Sequence, residues 1–438
     1  MKPTNILLSI SLGASLMAPA FSASPNSFWR EIGPTDNPDI LDTKAPAERN
    51  IYELDKAPKQ LTLSHQPWAD TLWRLDSGLV AGRYGDSDFQ HRHSWASRND
   101  YVIKNSARQL LLSSGSDRAQ AIDILSPAEK YDLLVGDNQE SLTKAQWAAG
   151  ASYWKNHSLS SWMGICEGSA AASIVYLEPK HAVDLTTPSG DVVRFHVLDI
   201  KGLASLLWSS YNLSIPTVGT RCFTGSPKTD RDGVVTETSC FDPNPAAFHI
   251  ALYHWLPGRQ FPFIINKRPN KKVWNVPVVG YQLEYVNVSN QRHTQDLKEA
   301  IVPLSSIAKD KYRNHRSIGT TSILGVEIKI QMAAGHTSSR DGQKAAGISN
   351  ARYRYDLEID ANGKILGGEW LDDSHPDFIW AVDPSMKPNT AGDLITGANN
   401  DWDGKPFSGA WTAAAIISSR NNQPMEKVVR KLIELSTH

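Results

Sequence analysis

Residues 161–173 read Ser161-Trp162-Met163-Gly164-Ile165-Cys166-Glu167-Gly168-Ser169-Ala170-Ala171-Ala172-Ser173. One cysteine stands between an aromatic, glycine-containing turn and a run of small residues, which predicts the start of a buried helix. A thiol at a helix N-terminus feels the positive end of the helix dipole, which lowers its pKa and favours the thiolate. The stretch therefore indicates a cysteine nucleophile. The alternative is a buried structural cysteine, since free cysteine is among the most buried residue types.

The beginning of the chain has the pattern of an export signal. Lys2 supplies a positive start, residues 6–17 form a short apolar run, and residues 18–23 are mostly small, which predicts a signal peptide over residues 1–23. That run is too short to cross a bilayer, and we find no later segment with the roughly 18 apolar residues that a span needs. We therefore expect a secreted or periplasmic protein without a membrane anchor.

Export bears on the three cysteines, Cys166, Cys222 and Cys240. In an oxidising compartment two of the three are expected to pair. Cys222 and Cys240 flank a polar, glycine-containing loop, so we predict a disulfide between them. Cys166 would then be unpaired, and a reactive thiol is a good reason for an exported protein to keep one.

Length and charge narrow the functional classes. A chain of 438 residues is long enough for two or three packed units. Its 45 basic residues are balanced by 46 acidic residues, so there is no excess positive charge to bind nucleic acid or an anionic membrane surface. We expect protein or peptide partners and no nucleic acid.

Local patterns divide the chain into regions. Polar, proline-rich sequence predicts an extended tail or a pro-segment after the signal peptide. A capping box at Ser126-Pro127-Ala128-Glu129 marks a helix start in a mainly helical part. The predicted regions are residues 24–60 for the tail, 61–160 for the helical N-terminal part, 161–290 for a Cys/His catalytic core, and 291–438 for a β-rich C-terminal part with a terminal helix.

A cysteine nucleophile needs a base, and the base needs an orienting group. The apolar run Phe248–Trp255 predicts a strand, and His249 near its start is the predicted base. His254 on the same run and His157 in the loop before Cys166 are its alternatives. Asn266 ends the next predicted strand and is the predicted orienting residue. Asn275 and Asp242 are its alternatives.

One stretch has the spacing of a calcium loop. Asp360, Asn362 and Glu369 match oxygen ligands of an EF-type loop, with Gly363 at the turn. The preceding residues, Tyr353–Ile359, alternate between apolar and polar as in a strand, and Asn362-Gly363 favours a tight hairpin. Calcium is therefore an expectation that competes with an ordinary β-hairpin.

Several blocks of sequence, taken in order, resemble one known family. They are residues 125–137 (LSPAEKYDLLVGD), 162–166 (WMGIC), 242–249 (DPNPAAFH), 273–281 (VWNVPVVGY), 367–370 (GGEW) and 374–378 (SHPDF). Together they resemble the transglutaminase elicitors of oomycetes and their exported bacterial relatives, over roughly residues 65–385.

This resemblance implies an α+β fold with a papain- or transglutaminase-like catalytic core, in which a nucleophile helix packs on antiparallel strands. It also implies protein-glutamine γ-glutamyltransferase activity, often supported by calcium. Cys166 and His249 match the family's nucleophile and base, and Asn266 stands where an aspartate is expected. Glu167 stands where the family pattern suggests histidine, and its charge would raise the pKa of the neighbouring thiol.

The expected reaction is acyl transfer. Cys166 attacks the γ-carboxamide of a protein glutamine, and a lysine or another amine takes the acyl group. Trp162 and the backbone N–H of Cys166 are expected to bind the oxyanion, with Trp274 and Asn275 lining the substrate site. The alternatives are a cysteine peptidase, an amidase or a glutamine deamidase at the same site, or a secreted interaction protein that has lost activity.

Overall fold

The computed structural model describes residues 32–33, 36–210, 215–224, 226–230, 235–267, 272–334, 339–341, 347–395 and 400–438. The predicted signal peptide lies outside these residues. The helices are α1 (Ile51–Leu54), α2 (Ser87–Gln90), α3 (Trp95–Lys104), α4 (Ala107–Ser113), α5 (Arg118–Asp123), α6 (Pro127–Leu134), α7 (Ser141–Lys155), α8 (Cys166–Val175), α9 (Val197–Ser210), α10 (Pro245–Tyr253), α11 (Leu297–Ala300), α12 (Ala391–Ile395), α13 (Gly409–Arg420) and α14 (Glu426–Thr437).

The strands form one large sheet and one hairpin. They are β1 (Gln60–Thr62), β2 (Val183–Thr186), β3 (Val192–Phe195), β4 (Val218–Gly219), β5 (Phe263–Asn266), β6 (Asn275–Asn287), β7 (Arg292–Thr294), β8 (Val302–Pro303), β9 (Ser322–Ala334), β10 (Gly347–Ile359), β11 (Ile365–Trp370) and β12 (Phe378–Trp380). The large sheet has the order β11-β10-β9-β6-β5-β12-β4, with β1 and β7 paired to β6 and β8 paired to β9. Strands β2 and β3 form a separate two-stranded antiparallel sheet.

Two apolar cores organise the molecule. The first fills the space among α6, α7, α8, α9 and α14. The second lies between α10 and one face of the large sheet. Long strands bury alternate residues there: Tyr281, Leu283 and Tyr285 of β6 are fully buried, while Glu284 between them is partly exposed. The opposite face of this sheet is thus polar, as alternation along a strand requires.

The capping prediction at Ser126 is confirmed. Its side chain accepts a hydrogen bond from the backbone N–H of Glu129, the Glu129 side chain returns to the backbone of Ser126, and Pro127 opens α6. Glu129 also forms a buried ion pair with Arg83.

The strand predicted at Phe248–Trp255 is wrong, because these residues lie in α10 and the turn that follows it. Asn244 caps the helix by accepting a hydrogen bond from the backbone N–H of Ala246, and Pro245 occupies its first turn. Every residue of α10 is buried, so its apolar sequence has no polar face whose period could separate helix from strand.

The described part of the proline-rich segment is integrated into the sheet. Strand β1 pairs with β6, and Ile51 is fully buried and donates its backbone N–H to the Gly363 carbonyl at 2.8 Å. The boundary expected at residue 290 falls within the large sheet, because β6 pairs directly with β9.

Among the described residues, no helix combines the length and the apolar character that crossing a membrane would require.

Candidate active site

Cys166 is the first residue of α8, so the thiol stands at the N-terminus of a helix, as the sequence indicates. Helix α8 packs closely against α9, and its small residues permit that approach. A Cβ atom on Gly168 would stand 2.0 Å from the backbone oxygen of Ser205. Glycine at this position therefore lets α8 lie directly on α9.

The Cys166 thiol faces the start of strand β6. Its Sγ atom lies 3.7 Å from Nδ2 of Asn275 and 3.8 Å from the carbonyl oxygen of Val273. The indole N–H of Trp380 donates to Oδ1 of Asn275 at 2.9 Å, so the amide N–H₂ of Asn275 is turned towards the sulfur. Asn275 therefore contacts the predicted nucleophile directly. In the described part of the chain it does not orient a histidine, which was the role considered for it as an alternative to Asn266.

Glu167 is the titratable neighbour of the thiol. Its Oε2 atom lies 3.9 Å from Sγ of Cys166, and its Oε1 atom accepts a 2.8 Å hydrogen bond from the Ser209 hydroxyl. Burial raises the pKa of Glu167. Two causes raise the pKa of Cys166 to about 11: burial is the larger, and the nearby charge of Glu167 is the smaller. The free thiol is therefore protonated at neutral pH, so the thiolate expected from the helix dipole is outweighed.

Asn266 supports this site from the neighbouring strand. It is fully buried and lies directly opposite Asn275 in the β5–β6 ladder. Its Oδ1 atom accepts the backbone N–H of Trp274 at 2.9 Å, and its Nδ2 atom donates to Asp377 at 2.9 Å. Asn266 thus fixes the backbone that carries Asn275, instead of orienting a histidine as predicted.

The predicted disulfide joins Cys222 to Cys240 and leaves Cys166 free, so that prediction is confirmed. The backbone N–H of Cys222 points to Oδ1 of Asp377 at 3.5 Å. Asp242, two residues after Cys240, interacts with the Asp377 carboxyl, and burial and this neighbour raise its pKa to about 8. Asp242 belongs to this carboxyl cluster and lies 3.7 Å from Nδ1 of His375.

His249 occupies a different part of the molecule from the one predicted. It is fully buried in the second core, where its Nδ1 atom lies 2.9 Å from the Tyr355 hydroxyl. Its ring packs against Tyr253 at 4.8 Å between centroids. Burial lowers the pKa of His249 to about 3. In the part of the chain that the structure describes, the Cys166 thiol makes no hydrogen bond to an imidazole.

The two predicted tryptophans of the site, Trp162 and Trp274, make different contributions. Trp162 is half-buried in the turn before α8, and Trp274 contributes the backbone N–H that Asn266 accepts.

Sequence reasoning missed Trp380, Ser209 and the hydrogen-bonding role of Asp377. Trp380 and Ser209 follow apolar runs that give no sign of a polar role, whereas Asp377 lies in the SHPDF block.

The residues of the expected calcium loop lie in a β-hairpin and not between two helices. Asp360 accepts the backbone N–H groups of Asn362 and Lys364 at 2.8 Å each, which closes the hairpin between β10 and β11. Glu369 lies along β11, opposite Asp356. The hairpin alternative is correct here, and the helix–loop–helix that an EF-type site requires is not formed.

Comparison with known proteins agrees with this architecture. No curated protein sequence matches the chain. The crystal structure of the GP42 transglutaminase from Phytophthora sojae is similar, with a TM-score of 0.51 and 19% sequence identity over 88% of this chain and 98% of that chain. At this identity the likeness concerns the fold, a mixed assembly of helices and sheet. The sequence itself matches the transglutaminase elicitor family over residues 46–400, and the chain therefore belongs to that family.

Proposed function

We propose that this protein is an exported, thiol-dependent acyltransferase that acts on glutamine side chains of proteins, with a papain-like core formed by α8 and the antiparallel strands. The observation that carries the proposal is the unpaired Cys166 at the N-terminus of α8, facing the amide of Asn275 at 3.7 Å. The other two cysteines are paired, so the thiol is kept free in a protein that forms disulfides. Membership in the transglutaminase elicitor family supports the same chemistry.

Glu167 is the group that we assign to proton transfer. Its Oε2 atom lies within reach of Sγ, and its raised pKa brings it closer to the range in which a carboxyl can both accept and donate a proton near neutral pH. Ser209 holds the other carboxylate oxygen. These contacts leave Oε2 facing the sulfur. Glu167 therefore takes the role of general base, which the sequence analysis predicted for His249.

The proposed reaction has two halves. The Cys166 proton passes to Glu167 as Sγ bonds to the γ-carbonyl carbon of a glutamine, and the C–N bond then breaks as Glu167 returns the proton to the leaving ammonia. A lysine amine next attacks the thioester, its proton passes through Glu167 to the departing sulfur, and an isopeptide bond remains. Water in place of the amine gives deamidation. In this proposal the amide of Asn275, 3.7 Å from the sulfur, and the Cys166 backbone N–H stabilise the oxyanion.

A second candidate function is a secreted interaction protein without catalysis. The observation that favours it is the Cys166 thiol itself, whose pKa is raised to about 11, opposite to the shift that activates most catalytic cysteines. Such a protein would keep the family fold and bind partners through its surface.

Amine incorporation into casein, measured together with ammonia release, tests the proposal. Wild-type protein is expected to incorporate a fluorescent amine, and Cys166→Ala is expected to lose incorporation and ammonia release together. Ammonia release without incorporation would identify a deamidase, and cleavage of casein would identify a peptidase. The same assay after dialysis against a chelator tests whether calcium supports the activity.

His249→Gln is the matched variant for the assignment of the base. It removes an imidazole that lies in the second core, so we expect amine incorporation to persist at a temperature where the variant stays folded. If Cys166→Ala and wild type behave alike in the assay, and iodoacetamide does not label Cys166 of the wild-type protein, the interaction protein is the correct alternative.

A further inference from the structure

The polar face of the large sheet carries a second cluster of ligating side chains, far along β6 from the thiol. Glu284 of β6, His293 of β7 and Glu327 of β9 each offer one ligand atom, and these atoms lie within 4.8 Å of one another. We propose that these three residues form a binding site for a divalent transition-metal ion of the zinc type. The site is independent of the acyl-transfer chemistry proposed above.

The strand register builds this cluster. Glu284 and Glu327 are direct partners in the antiparallel β6–β9 ladder. His293 is the partner of Val286, and Val286 lies on the same face of β6 as Glu284, because side chains alternate. Three adjacent strands therefore present their ligands from one face of a hydrogen-bonded sheet, which holds the three Cα positions rigidly.

Two carboxylates placed directly opposite one another in a ladder repel, and such pairs are destabilising. Neighbouring cationic or polar groups reduce the repulsion between the two glutamates. His293 lies with Nδ1 at 3.0 Å from Oε2 of Glu284, and the Arg352 guanidinium bonds to Oε2 of Glu327. Arg354, the direct partner of Glu327 in β10, instead pairs with Asp372 at 2.9 Å. A bound cation would neutralise both glutamates at once.

The donor set selects the class of metal. One imidazole and two carboxylates suit zinc and related transition metals, which commonly take three protein ligands and leave one position to water. Calcium and magnesium prefer oxygen ligands alone, so they gain little from His293. The exposure of His293 and Glu284, whose side chains are each 44% accessible, leaves an open path for the ion.

Isothermal titration of the purified exported chain with zinc chloride, after removal of metal by a chelator, tests the proposal. We expect one ion per chain at the cluster. His293→Ala should weaken binding at least about tenfold, as should Glu284→Gln. Binding should also raise the melting temperature of the wild-type protein, since the ion binds only the folded state. All three ligands lie on the solvent face, so circular dichroism can verify that the variants fold.

Two further variants make the experiment decisive. The double variant His91→Ala/His93→Ala removes two other exposed histidines and should leave the affinity at the wild-type value. Arg352→Ala removes the cation that competes for Glu327 and should tighten binding. The proposal is overturned if zinc fails to bind up to roughly 1 mM, or if His293→Ala binds zinc as wild type does. Calcium binding that needs the glutamates but ignores His293 would also overturn it.

Discussion

At the scale of single residues, the reactivity proposed for the site depends on the contact between Cys166 and Glu167. Burial and, to a smaller extent, the Glu167 carboxylate raise the pKa of the thiol. The same carboxylate is the proton acceptor that we propose for it. These two effects predict opposite results for Glu167→Gln. Removing the negative charge should lower the pKa of Cys166 and speed its alkylation by iodoacetamide several-fold at pH 9, whereas amine incorporation should fall by at least ~100-fold.

Alkylation rates across a pH series, with amine incorporation measured on the same preparations, check this prediction. Ser209→Ala is the control, because it keeps the Glu167 carboxylate and removes only the hydrogen bond to it, so we expect a smaller change of both rates. If alkylation and transfer rise together in Glu167→Gln, the carboxylate is an inhibitor of the thiol and not its proton acceptor.

The buried carboxyls near the disulfide predict how stability depends on pH. Burial raises the pKa of Asp36 to about 8, that of Asp242 to about 8 and that of Asp377 to about 6. In the unfolded chain these groups lose their protons near pH 4. The unfolded state therefore binds fewer protons between about pH 4 and pH 8, and the free energy of unfolding falls as the pH rises through this window.

Asp36→Asn tests that dependence at one residue. Its amide oxygen can still accept the backbone N–H of Asn244, which Asp36 receives at 2.8 Å. We expect the variant to gain on the order of 2 kcal/mol over wild type at pH 8 and little at pH 4. Urea unfolding at both pH values measures the difference. An equal gain at pH 4 and pH 8 would contradict the titration argument.

The ion pair between Lys130 and Asp199 links α6 to α9 inside the first core. Its N–O distance is 2.7 Å and both side chains are fully buried. Lys130→Met would leave the Asp199 carboxylate buried without a cation, which should cost about 3–5 kcal/mol of unfolding free energy. The control is Lys104→Met, since Lys104 pairs with Asp100 at the surface and should contribute less than about 1 kcal/mol. Similar losses in the two variants would show that burial of the pair does not matter.

At the scale of secondary-structure elements, the sequence predicted those whose signals are local. The capping residues of α6, the hairpin at Asn362-Gly363 and the disulfide each depend on chemistry within a short segment. Helix α10 could not be predicted, because a helix buried on every side has the same apolar composition as a buried strand. His249 was therefore assigned to the wrong element, and its placement in the second core depends on packing between distant segments.

Helix α8 gives the prediction that belongs to this scale. Gly168→Ala should improve intrinsic helix propensity, yet its Cβ would meet the Ser205 carbonyl at 2.0 Å. We expect α8 to be pushed from α9, with a loss of roughly 1–3 kcal/mol and altered alkylation of Cys166. Gly409→Ala is the matched control: Gly409 opens α13, a Cβ there has no atom within 4 Å, and stability should hold or rise. Denaturant unfolding of both variants decides between steric contact and propensity.

At the scale of the whole molecule, the two cores meet where β5, β6 and β12 bring their side chains to α8. From the sheet, Asn275 contacts the thiol and is itself held by Trp380. From the helical part, Glu167 contacts the thiol and is itself held by Ser209. These residues are far apart in the sequence, and no local pattern predicts that they lie close together in the fold. The register of β5 against β6 sets Asn266 opposite Asn275, and the packing of α8 against α9 and β6 brings Glu167 and Ser209 to the same point.

The N-terminal segment is where the whole-molecule arrangement makes its own prediction. A pro-segment that covers the cleft should expose Cys166 when it is removed. The described residues from 36 to 62 instead complete the sheet, through β1 on β6 and through Ile51 in the second core. We therefore expect a chain that lacks residues 24–62 to unfold at a lower urea concentration, since it loses strand pairing and buried apolar area.

Iodoacetamide labelling distinguishes the two roles of this segment. Under conditions where the shortened chain remains folded, Cys166 should react no faster than in the longer chain. Ile51→Ala is the companion variant, because it keeps the segment and removes only the buried side chain, and we expect it to lose about 2–5 kcal/mol. Faster labelling of Cys166 in the shortened chain, with unchanged stability, would assign the segment to the cleft and not to the sheet.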